Sequence, residues 1–410
     1  MTRTTRVLLI ALVTVATAVP ARAKDNWISL TTRDFNIISN AGEGETRRLA
    51  VKLEQFHAIF SKLFNTNVTA STPVTVMAFK SDDSFKPFKP LYKGKPSNIA
   101  GYFQRTEDEN IIALNITARG EYPMAVVLHE YTHLLTSFVR HSWPAWLSEG
   151  LAEVYSTFDI AGNQVTMGKP ISSHVYLLRD KFMPVADLLA VDRHSAAYNE
   201  REKQGIFYAE SWALTHYLMF GNKAARRPEL IDFVRRLAAG TSANTAFAEA
   251  FKTDPKVLEK SLREYVQHSQ YPGWIYTLDT TEGDKSVATR ALTEAEAQFF
   301  LGNLLARTNR PDDAEVYFKQ SATLDPNFPR AYEGLGLVAV RRRNYDEAAR
   351  YLKEAVAHGS RSHLAYYHYA SALVMGSASS MNDEQAKKLI DLLDNSIKLM
   401  PRFAPAYDLM

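Results

Sequence analysis

Residues 126–135 read Val-Val-Leu-His-Glu-Tyr-Thr-His-Leu-Leu, an apolar stretch interrupted by two histidines and a glutamate. Polar groups are tolerated in a buried segment only when they have partners. Whatever this chain folds into must therefore bring other groups to meet His129, Glu130 and His133. In an α-helix, residues four apart share a face, one turn above the other. The two histidines then aim two imidazole nitrogens at one point, at the reach a zinc ion needs. Glu130 stands beside that point without being required as a ligand, and is placed to take a proton from a metal-bound water.

A catalytic zinc takes three protein ligands and keeps a fourth position for water. The third ligand is expected from Trp146-Leu147-Ser148-Glu149-Gly150-Leu151-Ala152-Glu153. Glu149 is the natural choice, with His141 and His174 as its rivals. Glu153 shares the helical face of Glu149 and is placed to accept the outer N–H of a ligand histidine, which fixes that ring's tautomer and direction. The metzincin pattern, which needs a glycine at position 136 and a histidine at position 139, fails on Thr136 and Val139.

H-E-x-x-H followed by W-L-x-E-G-x-A-E resembles the gluzincin metallopeptidases, the group that contains the thermolysin-like and aminopeptidase-N-like enzymes. The resemblance implies an α+β zincin-like domain with Glu149 as zinc ligand, Glu130 as general base and Glu153 supporting a ligand histidine. It also implies that an edge strand just before the metal helix borders the cleft and pairs with extended substrate; Ile111–Leu114 holds that place. Gluzincins draw an oxyanion donor, a Tyr or His, from their C-terminal subdomain. Tyr208 is the candidate here, with His216 and Tyr176 behind it. The sequence departs from the best-known members in one respect. Only 15 residues separate His133 from Glu149, so the loop between the metal helices is short.

The first 23 residues read as a signal peptide: Arg3 and Arg6, an apolar run Val7–Val19, then Ala21-Arg22-Ala23 as a cleavage site. The run is short for a bilayer span, so no stable membrane anchor is expected after cleavage, and the destination is the periplasm or the medium. Removing these residues takes three arginines and no acid, leaving 45 basic and 45 acidic side chains. Such a balance gives no electrostatic footprint for nucleic acid. The chain has no cysteine, so metal ligands come from histidines and carboxylates.

Residues 24–285 are expected to form the metallopeptidase domain. Strands are read at Trp27–Leu30, Phe35–Ser39 and Pro73–Phe79, and a hairpin at Gly101–Phe103 with Asn110–Asn115. A helix spans Glu45–Phe64, with Leu49, Leu53, Phe56, Ile59, Phe60 and Leu63 at helical period. The Lys- and Pro-rich Phe85–Pro96 reads as a loop, residues 158–285 as mostly helical, and Tyr271–Lys285 as a linker.

From about residue 290 a 34-residue period sets in. Gly302 pairs with Gly336, Ala314 with Ala348, and Phe318 with Leu352. This resembles the tetratricopeptide (TPR) repeat, with copies at 292–325 and 326–359. A third, near 363–401, carries an insertion at Gly376–Asp383, and Phe403–Met410 is like the opening of a fourth, incomplete copy. The resemblance implies an all-α superhelix over 286–410 whose groove binds peptide or protein. Arg341-Arg342-Arg343 reads as a solvated helix end. The whole is expected to be an exported zinc metallopeptidase, a hydrolase of peptide bonds, with a TPR module for substrate or partner. The alternatives are a TPR adaptor with an inactive zincin domain, and a zinc amidase acting on cell-wall material.

Overall fold

A computed structural model describes residues 25–64, 74–97, 99–106, 108–117, 124–137, 143–192, 195, 201–267, 270–277, 289–376 and 382–410. The signal-peptide segment and His141 lie outside the described residues. Among the described residues no helix is long and apolar enough to cross a membrane.

Five short runs of β-branched and apolar residues build most of a central sheet: β1 (Ile28–Thr31), β2 (Phe35–Ser39), β3 (Val74–Phe79), β4 (Gly101–Arg105) and β5 (Asn110–Asn115). A sixth strand comes from far along the chain. With α1 (Glu43–Phe64), the metal-motif helices α2 (Ala125–Ser137) and α3 (Ala145–Ser156), and the elements that follow numbered in chain order, it is β9 (Thr289–Ala291). The strand order is β9-β1-β2-β3-β5-β4. The β2–β3 and β3–β5 pairs are parallel, and the other three are antiparallel. The strand immediately before the metal helix, which contains Ile111–Leu114, is thus internal, paired on both sides. The sheet's edge next to that helix is β4, so the strand expected to lie at the edge is not there.

Alternate residues of each central strand point to opposite faces, and here both faces are buried. Ile37, Val74, Val76, Ala78, Ile112 and Leu114 join one core with α1, α2 and α3. Ile38, Met77, Phe79, Ile111 and Ala113 join a second core with Phe300, Leu301, Leu304 and Phe318 from the repeat region. The first repeat pair, α10 (Glu294–Arg307) and α11 (Pro311–Leu324), therefore forms a layer of the same domain. Residues 289–291, placed by sequence in the repeat module, are a strand of the sheet.

Along the chain, between α3 and β9, comes a helical block that joins the first core: α4 (Ser172–Asp180), α5 (Val185–Ala190), α6 (Arg201–Ala224, broken at Gly221–Lys223), α7 (Arg227–Ala238), α8 (Ala243–Phe251) and α9 (Pro255–Val266). It also holds a three-stranded sheet absent from the sequence reading: β6 (Asp159–Ala161), β7 (Gln164–Met167) and β8 (Trp274–Thr277). The β8 strand falls inside the expected linker. The Lys/Pro-rich Phe85–Pro96, expected as a loop, follows a helical turn, Asp82–Phe85, whose Ser81 cap and Ser84 form a reciprocal capping box, and holds a 3-10 turn, Lys86–Phe88, and a short antiparallel pairing of Leu91–Tyr92 with Lys95–Pro96. Its Phe85 and Phe88 are buried in the second core.

The repeats continue with α12 (Pro329–Arg341), α13 (Tyr345–Ala357), α14 (His363–Gly376), α15 (Asp383–Leu399) and α16 (Ala404–Leu409). The paired glycines show why the 34-residue period exists. A Cβ on Gly302 would lie 2.9 Å from the Phe318 ring, and one on Gly336 would lie 2.5 Å from Leu352 Cγ. The first two repeats thus each pack a large residue of the second helix into the gap left by a glycine on the first.

Candidate metal centre

Helix α2 is amphipathic in an unusual sense. Val127, Leu128, Tyr131, Leu134 and Leu135 are buried in the core, while His129 and His133 face α3. Thr132 and Thr136, also buried, satisfy their hydroxyls on carbonyls of the preceding turn, Leu128 O at 2.7 Å and Thr132 O at 2.9 Å. On the side away from the motif, the Tyr131 hydroxyl meets His57 Nδ1 at 2.6 Å, and His57 Nε2 lies 3.8 Å from Asp34 Oδ2. This buried chain ties α2 to α1 and to the β1–β2 turn.

Helix α3 is buried almost all round, as a helix inside a larger core must be. Gly150 lets it approach α6 closely: a Cβ there would lie 2.3 Å from Ser211 O and 2.1 Å from Thr215 Oγ1. That approach presses Glu149 and Glu153 toward α2.

The result is a three-cornered donor set. His129 Nε2 and His133 Nε2 are 3.1 Å apart, and Glu149 Oε2 lies 3.2 Å from the second and 3.3 Å from the first. Donors bound at about 2.0–2.1 Å in a tetrahedral zinc site stand about 3.3 Å from one another. The set fits zinc in spacing and in chemistry, two imidazoles and one carboxylate. Of the sequence-expected ligands, His129, His133 and Glu149 are brought together; His174, the rival, is not among them.

Each histidine of the triangle has its outer nitrogen near a polar group. Glu153 Oε1 lies 3.4 Å from His129 Nδ1, the support expected of it. Ser148 Oγ lies 3.2 Å from His133 Nδ1, and His174 Nε2 lies 3.2 Å from the second Glu153 oxygen. The sequence reading missed Ser148 and this role of His174. The Ser148 signal was available, since it directly precedes Glu149.

The electrostatics follow the geometry. Burial opposes a charge on His129, but Glu149 and Glu153 together raise its pKa to about 10. Burial pushes the Glu149 and Glu153 carboxyls up, and the histidines beside them more than reverse this, holding both well below the usual carboxylate range. Glu130 is raised, first by burial, with His129 and His133 opposing and the other two carboxylates reinforcing. Three carboxylates share this pocket with two histidines, a field that favours a cation.

The Tyr208 ring stacks on His129, centroids 6.0 Å apart at an interplanar angle of 20°. Of its expected substitutes, one is committed elsewhere and one is exposed. His216 is fully buried and engaged at both nitrogens, by the Tyr265 hydroxyl at 2.7 Å and by Gly168 O at 2.6 Å. Tyr176 is 73% exposed on α4.

A second concavity, about 450 Å³, opens where the repeats meet the sheet. The β4–β5 turn supplies Asp108 and Glu109, and the repeats supply Phe299, Arg330, Glu333 and Arg341. Arg307 pairs with Asp108 at 2.9 Å, and Asn303 donates to Glu109 at 2.9 Å.

Family models of the tetratricopeptide repeat match residues 295–328 and 333–378. The helix pairs over these residues are TPR repeats. Among solved structures, YrrB, described as a TPR protein with an unusual peptide-binding site, is 14% identical to the chain. The match spans 52% of this chain and 94% of YrrB at a TM-score of 0.24, below what a shared overall fold gives. No curated protein matches the chain.

Proposed function

We propose that this chain is an exported zinc metallopeptidase, acting in the periplasm or outside the cell, whose TPR repeats bind peptide or protein. The observation that carries the reading is the donor triangle of His129, His133 and Glu149, with sides of 3.1–3.3 Å. Zinc held there supplies Lewis acidity and lowers the pKa of water toward neutrality.

The chain's own residues supply the rest. Glu130, next to His129 and raised by burial, accepts a proton from the attacking water at its carboxylate and returns it to the leaving amine. Tyr208 donates its hydroxyl to the oxygen of the attacked carbonyl; its ring against His129 supports this role. The β4 edge, which packs on α2, offers backbone groups to an extended polypeptide. The apolar and charged concavity at the repeats suits a further stretch of the same polypeptide or a separate protein partner.

A second reading, a TPR adaptor whose zinc site is inactive, draws on the repeats alone. Digestion of an unfolded protein substrate separates the two. The native chain is expected to cleave it, and Glu130→Gln to retain zinc while losing at least about 100-fold in rate, the range of general-base contributions. Zinc-loaded native protein that cleaves no peptide substrate would favour the adaptor or an amidase.

A further inference from the structure

His174 opens α4, an element that contributes nothing to the donor triangle. Its Nε2 lies 3.2 Å from Glu153 Oε2, and among the described residues that buried atom has no formed hydrogen bond. The other Glu153 oxygen lies 3.4 Å from His129 Nδ1, and His129 Nε2 is a corner of the triangle. One carboxylate thus stands within 3.2–3.4 Å of imidazoles from two different helices. The Trp212 ring, centroid 6.1 Å away, limits where the His174 ring can go.

The need for such a brace follows from spacing. Glu153 sits one helical turn beyond Glu149, and both carboxylates reach His129. A Glu153 side chain free to rotate would compete with Glu149 for the donor point, or leave the His129 ring without a fixed direction. His133 has no comparable problem, since its outer nitrogen is met by the short Ser148 side chain of the facing helix.

We infer that His174 is a positioning residue for the metal centre: by holding Glu153 Oε2 it keeps Glu153 Oε1 on His129 Nδ1, and so sets the direction of His129 Nε2. The inference rests on the zinc reading given above. Loss of an outer partner of this kind costs 10–100-fold in metal affinity.

The test is zinc affinity, by competition with a chromogenic chelator, for the native chain, Glu149→Ala, His174→Ala and His174→Gln, beside thermal melting of each metal-free protein. The expected result is native binding, strong loss in Glu149→Ala, and affinity about 10–100-fold weaker in His174→Ala. His174→Gln, whose amide N–H also reaches a carboxylate, is expected to recover most of it, with metal-free melting unchanged throughout. Native-like affinity in His174→Ala overturns the inference and leaves the zinc reading standing, provided Glu149→Ala loses the metal. Loss in both His174 variants with a lower metal-free melting temperature overturns it in favour of a packing role. No zinc bound by the native chain removes the zinc reading and the inference together.

Discussion

The two faces of the central sheet carry nearly the same kind of residue and do different work. On β5, Ile112 and Leu114 look toward the metal helices, and Ile111 and Ala113 look toward the repeats. Beyond the first face the core encloses a cluster of histidines and carboxylates, His129, His133, Glu149 and Glu153 among them. Beyond the second it is mainly apolar, with Phe300, Leu304 and Phe318 in it and polar groups that bond locally, such as Ser321 to Ala295 O, Arg307 to Asp108 and Asn303 to Glu109. One layer is specified by polar complementarity and the other by shape and area. The first should be sensitive to sub-ångström displacement, the second to lost apolar volume.

Four substitutions press on that difference. Leu304, fully buried beneath the sheet, is the strongest lever on the repeat face. Leu304→Asp puts a charge where no partner waits and should cost more than the roughly 2–5 kcal/mol of a truncation to alanine. Urea unfolding would show this, and zinc affinity of the fraction that remains folded should be native if the faces are independent. Gly150→Ala is the counterpart on the metal face. Its Cβ would lie 2.3 Å from the Ser211 carbonyl, so α3 must move away from α6. Overpacking of this kind costs about 1–3 kcal/mol, but zinc affinity should fall further than that loss of stability suggests, because Glu149 moves with the helix.

The third lever is pH. Burial raises the Glu210 carboxyl to about 8 from an ordinary 4.5; the Met183 N–H and Arg263 oppose this, and Glu259 adds to it. The folded chain then keeps a proton that the unfolded chain releases, so stability falls as pH rises from 4.5 through 8. Glu210→Gln should flatten that slope; equal slopes in denaturant midpoints for the two proteins would assign the dependence elsewhere. The smallest effect is expected at the rim. The Arg307 and Asp108 side chains are 12% and 23% exposed, and Asp108→Asn should cost about 1 kcal/mol, less in high salt.

Much of the metal face was legible because its signals are local. The four-residue spacing of His129 and His133, and of Glu149 and Glu153, survives into the structure as two facing helix surfaces. The partners that lie far along the chain were not legible. No local pattern joins His174 to Glu153, or Thr289–Ala291 to Ile28–Thr31, and a three-residue strand is too short to show a period. Two signals were present and unread. In β2, β3 and β5 both alternate sets of residues are apolar, which requires a cover on each face and so foretells that something beyond the metal helices must dock. Ile160, Val165 and Met167 around Gly162-Asn163 also outline the hairpin of the small sheet, with Gly162 at φ +61° in its turn.

The pairing of β1 with β9 has a kinetic consequence. Ile28 lies opposite Ala291 and Leu30 opposite Thr289, so the first strand of the sheet finds one neighbour within ten residues and the other only after nearly the whole metal domain has been made. Contacts of such sequence separation are slow to form, because the loop must close before the contact rewards it. Emerging from a ribosome, the chain would present the β1 edge unsatisfied until the end of the domain arrives. The helix that then follows at Glu294 is the one that covers the sheet's second face, so closing the edge and sealing that face fall at the same late moment in the life of the chain.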